Sequence, residues 1–339
     1  MHVTARLPGE HTVKKYISLI LAVLLAAGCL TSCGSGSGAP AADGGLTIVT
    51  TIFPEYDWVM NILGGNPAGA NVSMLLDSGV DLHSFQPSAA DILKISTCDL
   101  FIYVGGESDK WVDDALQEAV NPGMTVIDLM DVLGDAVREE EEVEGMQEEE
   151  HDHEEEETGY DEHVWLSLRN AAVLVRAISE AVAGADPAHA EVYKQNADAY
   201  IGKLNALDAE YRDAVSAGSV GTLLFGDRFP FRYLTEDYGL SYYAAFSGCS
   251  AETEASFETV TFLAQKMDEL SLPAVIAIEG TDHRIAQTIV QNTKTKDQKI
   301  LTLDSMQGTT AKDAANGVTY LSVMEKNLEV LKEALDREA

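Results

Sequence analysis

Asp81-Leu82-His83-Ser84-Phe85-Gln86-Pro87 sets a single histidine in a turn immediately after an apolar, β-rich run at residues 70–76. Ser88 and Asp91 then have the spacing of an N-cap and its box partner, so the turn leads into a helix over residues 88–96. His83 therefore stands at the carboxyl end of a strand, and in open parallel α/β sheets ligands bind at that edge. One histidine in a loop decides little alone. Its weight comes from other strands that end the same way.

Around this stretch the chain alternates. Residues 46–51, 70–76, 100–104 and 125–129 read as strands, separated by helical patterns at 54–63, 88–96 and 109–118, which calls for a parallel sheet flanked by helices. Asp161-Glu162-His163-Val164-Trp165 puts a second histidine ahead of a helix at 168–183. Asp186 as N-cap and Pro187 at N1 open a long helix to about residue 215, along which Tyr193, Ala197, Tyr200, Leu204, Leu207 and Tyr211 recur in steps of four and three. A helix of about 30 residues spans roughly 45 Å, enough to run the height of a two-lobed molecule, and it is read as the connector. Beyond it, strands at 222–225, 275–278 and 300–303 end in Gly226-Asp227-Arg228, Glu279 and Asp304, with helices at 253–270, 282–291 and 311–335. The expected fold is α/β: two lobes with parallel sheets flanked by helices, at 46–185 and 217–339, joined by one long linker helix at 186–216.

Composition narrows the function. The 339 residues are 46% hydrophobic, ample for two cores, and carry a formal net charge of -34, which repels phosphate backbones and argues against nucleic acid as a partner. Much of that charge lies in residues 139–157, a glutamate run broken by His151, Asp152 and His153. Like charges in a block repel, so this segment is expected to be a disordered, solvated loop suited to loose capture of divalent cations.

The N-terminus reads as an export signal. Lys14 and Lys15 precede an apolar run from Ile17 to Ala27 that is short for a membrane span and fits a signal-peptide core. Leu30-Thr31-Ser32-Cys33 resembles the bacterial lipobox, with Cys29 as a second choice. Residues 1–33 are then the leader, Cys33 is the lipidated residue, and the Gly-, Ser- and Ala-rich residues 34–45 are a flexible tether from the membrane. Cys98 and Cys249, far apart in sequence, are read as free or buried thiols.

Carboxylates and imidazoles together suit a first-row divalent ion, and no cysteine pair at zinc-finger spacing competes. His189 and His283 sit at helix starts and read as surface residues. His83 and His163 are the expected metal ligands, with Asp304 third and Asp227 or Glu279 completing the shell. A metallohydrolase could use the same ligands, but no His-Glu-x-x-His helix or comparable base motif is present, so the chain is not expected to be an enzyme.

The Asp81–Pro87 turn, the Asp161–Trp165 motif, the long helix and Leu303-Asp304-Ser305 together resemble the zinc and manganese solute-binding lipoproteins of ABC transporters, over nearly all of the mature chain. The acidic, histidine-bearing loop before His163 is similar to the charged loop of the zinc-specific members. The resemblance implies two lobes with the metal clasped between them, Zn2+ as cargo with Mn2+ as the alternative, an ABC permease as partner, and a monomer outside the cytoplasm anchored by lipid. It carries the family's two histidines to His83 and His163 and its C-terminal aspartate to Asp304, and it suggests that Glu279 orients a ligand. One position departs. The family has a third histidine, or a glutamate in manganese members, at the strand end before an aromatic segment and a Tyr-Gly-Leu stretch. Here Gly226 or Asp227 stands there, ahead of Tyr238-Gly239-Leu240. Asp227 is therefore the expected further ligand, and an adhesin role on the cell surface is the remaining alternative function.

Overall fold

A computed structural model of the chain describes residues 45–147, 159–250 and 254–337. The leader, Cys33 and the tether to residue 44 lie outside the described residues, as do His151 and His153. All the described residues fall in one compact unit.

The first sheet is built from β1 (Thr47–Thr50), β2 (Asn71–Met74), β3 (Leu100–Tyr103) and β4 (Thr125–Asp128), all parallel in the order β2-β1-β3-β4. Its helices are α1 (Phe53–Leu63), α2 (Ala89–Thr97), α3 (Trp111–Gln117), α4 (Leu129–Leu133) and α5 (Leu168–Ala185). Next comes α6 (Ala190–Ala217), entered through a short 3-10 turn at Pro187–His189. The second sheet has β5 (Thr222–Arg228), β6 (Ser241–Phe246), β7 (Ala274–Ile278) and β8 (Lys299–Leu303), again parallel, in the order β6-β5-β7-β8. Around it lie α7 (Arg232–Tyr238), α8 (Phe257–Leu270), α9 (Arg284–Asn292), α10 (Ala311–Ala315) and α11 (Tyr320–Leu335).

Local chemistry explains the element boundaries. Ser88 Oγ accepts from Asp91 N and Asp91 Oδ2 accepts from Ser88 N, the expected capping box of α2. β7, Ala-Val-Ile-Ala-Ile, is buried along its whole length, as a strand covered on both faces must be. The sequence reading missed β6 and α7 as elements. It also ran the last helix continuously from 311; Gly317, at φ +93°, breaks it into α10 and α11.

The long helix α6, 28 residues, does connect the two halves. Asn196 Nδ2 donates to Ile62 O at 2.9 Å on α1, while Tyr211 Oη donates to Met324 O at 2.6 Å on α11. A single apolar core runs through both sheets. Where the halves meet, Asp57 is buried and its Oδ2 accepts from Tyr200 Oη and Tyr320 N, both at 3.2 Å. Burial pushes its carboxyl up to about 6 from the usual 3.8, against the lowering effect of those two bonds. The folded state therefore binds this proton more tightly than the unfolded chain, so the stabilisation is full below about pH 4 and is lost as pH rises towards 6. Asp57→Asn should remove a fall on the order of 3 kcal/mol over that window, measured as the difference in denaturant unfolding between variant and wild type at each pH. Parallel pH curves for the two proteins would show that Asp57 does not titrate on folding.

The acidic segment differs from expectation over its first part. Residues 139–147 are tied to the fold, though several of their glutamates stay exposed: Glu140 N donates to Gly159 O, Gln147 N to Ala245 O, and Glu141 Oε2 pairs with Arg232 at 2.7 Å. Gly159 from the first half and Arg232 and Ala245 from the second satisfy part of a stretch that repels itself when alone.

Candidate metal centre

The carboxyl edges of both sheets meet at one place. On the first, backbone bonding beyond β2 continues through Leu75 and Leu76, and the chain then turns at Asp81, whose Oδ1 accepts from His83 N at 3.0 Å to open a 3-10 turn. His83 Nδ1 lies 2.7 Å from Ser108 Oγ and 3.4 Å from Glu162 Oε2. His163, fully buried, has Asp161 Oδ1 behind it, accepting from both its backbone N at 2.8 Å and its Nδ1 at 3.0 Å. With each Nδ1 engaged, both Nε2 atoms point into the same space, 3.2 Å apart. Two such lone pairs repel unless a proton or a cation lies between them. Zn–N bonds of about 2.0–2.1 Å at a tetrahedral angle put the nitrogens about 3.3–3.4 Å apart, close to what the side chains already offer.

Carboxylates stand behind both rings. Glu162 is 1% exposed; its Oε1 accepts from Ser108 N at 2.8 Å, and its Oε2 has no hydrogen-bond partner among the described residues while facing His83. Burial works to raise the Glu162 carboxyl, but the facing His83 ring and the bond from Ser108 N outweigh it and hold it below the usual range. For His163 burial works against charge, and the Asp161 carboxylate overcomes it, raising the imidazole above its ordinary value. Carboxylate–imidazole pairs of this kind fix the ring and strengthen it as a ligand. Gly106 makes room: an added Cβ there would sit 2.5 Å from Glu162 Oε1.

The carboxylates expected from the second sheet are placed differently. Asp304 follows β8 and is clasped by Asn327, which accepts from Asp304 N at 2.9 Å and donates to Asp304 O at 2.8 Å. Burial, then the nearby Glu279, pushes its carboxyl up to about 6. Glu279 receives Ser305 N at 2.7 Å and Ser305 Oγ at 2.6 Å, so it fixes the turn that carries Asp304, and Trp165 Nε1 donates to Ser305 O at 2.8 Å from the other half. Asp227 bonds within its own half: Oδ1 accepts from Arg228 N, and Oδ2 from Thr281 Oγ1 at 2.9 Å and Ile278 N at 3.4 Å. Gly226 has no room for a side chain, since an added Cβ would lie 2.7 Å from Ala286 Cα. Arg228 instead reaches across to Asp81 Oδ2 at 2.7 Å and holds that carboxyl below its usual range against the effect of burial.

Among the described residues, the one group of three or more His, Cys, Asp or Glu side chains able to share an ion is His83, His163 and Cys249, with ligand atoms within 4.8 Å of one another. The structure thus brings the two predicted histidines together and leaves Asp304, Glu279 and Asp227 out of that group. Cys249, read from the sequence as a free or buried thiol, belongs to it. It is partly buried and in no disulfide. Burial, and then the carboxylates of Glu140, Asp161 and Glu162, push its thiol well up. The signal that could have found it was its place just beyond β6, the strand that went unrecognised.

Comparison with known proteins identifies the family. The family model described as zinc-uptake complex component A periplasmic, ZnuA, matches residues 48–334. The zinc-binding lipoprotein AdcA of Streptococcus pneumoniae is 33% identical over 96% of this chain, which spans 62% of that relative's length. The high-affinity zinc uptake system protein ZnuA of Bacillus subtilis is 29% identical, covering 92% of this chain and 94% of that one. The solved Zn(II)-bound ZnuA-like domain of S. pneumoniae AdcA superposes with a TM-score of 0.67 at 29% identity, over 86% of this chain and 99% of that one. With a matching fold, two converging histidines and a family match over almost all of the described chain, this protein belongs to the ZnuA family of zinc-uptake components.

Proposed function

We propose that this chain captures Zn2+ outside the cytoplasm, as a lipoprotein anchored through Cys33, and delivers it to an ABC importer in the membrane. The observation that carries the reading is the pair of Nε2 atoms 3.2 Å apart, each ring held from behind by a carboxylate. The description of the matched family and the names of the relatives point to the same cargo. His83 and His163 bind the ion directly, and Asp304 supplies a carboxylate from the second sheet, on a turn that Glu279 orients. Asp227, bonded to Thr281 and Ile278, serves to tie the end of β5 to the end of β7 and the turn that follows it. The protein works as a monomer that binds and releases the ion without chemical conversion. Metal analysis by mass spectrometry of protein purified without added metal or chelator tests the cargo. A single Zn2+ per chain is expected; manganese in its place, or no tightly held metal, would overturn the proposal.

A further inference from the structure

We infer that the Cys249 sulfur is a direct metal ligand, so that a thiolate joins the two imidazoles and the proposed Asp304 carboxylate and the site prefers Zn2+ over Mn2+. This rests on the metal-binding reading of His83 and His163. Three observations support it. The position near the end of β5 where a third donor was expected is closed: Gly226 abuts Ala286, and Asp227 is bonded to Thr281 and Ile278 N. The neighbouring strand supplies an alternative, because β6 is parallel to β5 and the register pairs Arg228 with Phe246, so both strands leave the sheet at the same edge. Cys249 lies three residues beyond that pairing.

The turn that carries the sulfur is also fitted to the histidines. Gly248 lies against the His163 ring, and an added Cβ would be 3.2 Å from its Cε1 and 2.8 Å from Phe229 O. Cys249 N donates to Glu140 Oε1 at 3.1 Å, and Arg228 ties the turn to the first half, donating to Ser250 O at 3.3 Å and to Asp81 Oδ2 at 2.7 Å. A Zn–S bond of about 2.3 Å beside Zn–N bonds sets S···N edges of about 3.5–3.6 Å, within the 4.8 Å span of the cluster. On binding, the thiol proton leaves to solvent and the sulfur lone pair forms the bond to the ion. Thiolate is a soft donor that suits Zn2+, while Mn2+ favours oxygen.

The test uses the full-length protein loaded with Co2+ as a spectroscopic stand-in. Wild type is expected to show a sulfur-to-metal charge-transfer band in the near-ultraviolet, which Cys249→Ser removes while metal remains bound through the imidazoles. Cys249→Ala should lower Zn2+ affinity by more than about 100-fold and narrow the Zn2+/Mn2+ preference, beyond the roughly 10–100-fold of a change behind a ligand. Thermal unfolding of both apo variants should match wild type, which separates ligand loss from misfolding. Absence of the band in loaded wild type, or unchanged Zn2+ affinity in Cys249→Ala, would overturn the inference. If His83→Ala loses the metal while Cys249→Ala keeps it, the sulfur assignment alone fails; if neither variant loses it, the binding reading fails as well.

Discussion

His163→Ala should reduce Zn2+ affinity by more than about 100-fold, read by competition with a chromogenic chelator. The substitution removes one of the two nitrogens that already stand at tetrahedral spacing, and it leaves the Asp161 carboxylate buried without its Nδ1–H partner. Remaining donors would have to reorganise around a single imidazole. A change one step further back should cost less: Glu162→Gln keeps an oxygen for Ser108 N but removes the charge facing His83 Nδ1, and falls in the range of roughly 10–100-fold. An inverted order, with Glu162→Gln the more damaging, would mean that the carboxylate rather than the imidazole meets the ion.

The second large effect is on stability. Tyr320 is fully buried where the halves meet: its ring packs edge-on to Trp58 with centroids 5.2 Å apart, and its Oη donates to Trp165 O at 2.6 Å. Trp165 in turn touches His163, with ring centroids 5.3 Å apart, and bonds to Ser305 beside Asp304. Tyr320→Ala opens a cavity at this junction and strands a buried carbonyl, a loss of about 3–5 kcal/mol. In a unit of this size that lowers the melting temperature by on the order of 10 °C. Tyr320→Phe keeps the packing and loses only the hydrogen bond, so it should cost about 1–2 kcal/mol. Equal losses for the two variants would show that the ring's packing contributes little.

What could be read from the sequence follows the range of the forces involved. The Ser88–Asp91 box and the stripe from Tyr193 to Tyr211 are local periodic signals, and the structure has both. His83 and His163 were legible because each sits in a short motif beside an identifiable element, His83 after β2 and His163 just ahead of α5. Cys249 was not, because β6, Ser-Tyr-Tyr-Ala-Ala-Phe, shows no apolar-polar alternation and carries two alanines, which are poor strand formers. Nor could sequence show that Ala286 on α9 closes the space beside Gly226, since that contact joins residues sixty positions apart. The hold on residues 139–147 is of the same kind, for it depends on Arg232, Tyr242 and Gly159, which composition cannot reveal.

X-ray absorption at the zinc K-edge of the loaded protein tests most directly whether the ion sits between His83 and His163. The predicted spectrum has a four-coordinate shell with the multiple scattering of two imidazoles at about 2.0–2.1 Å, one of them lost in His163→Ala. A shell of oxygen donors without imidazole scattering, unchanged in His163→Ala, would contradict the account.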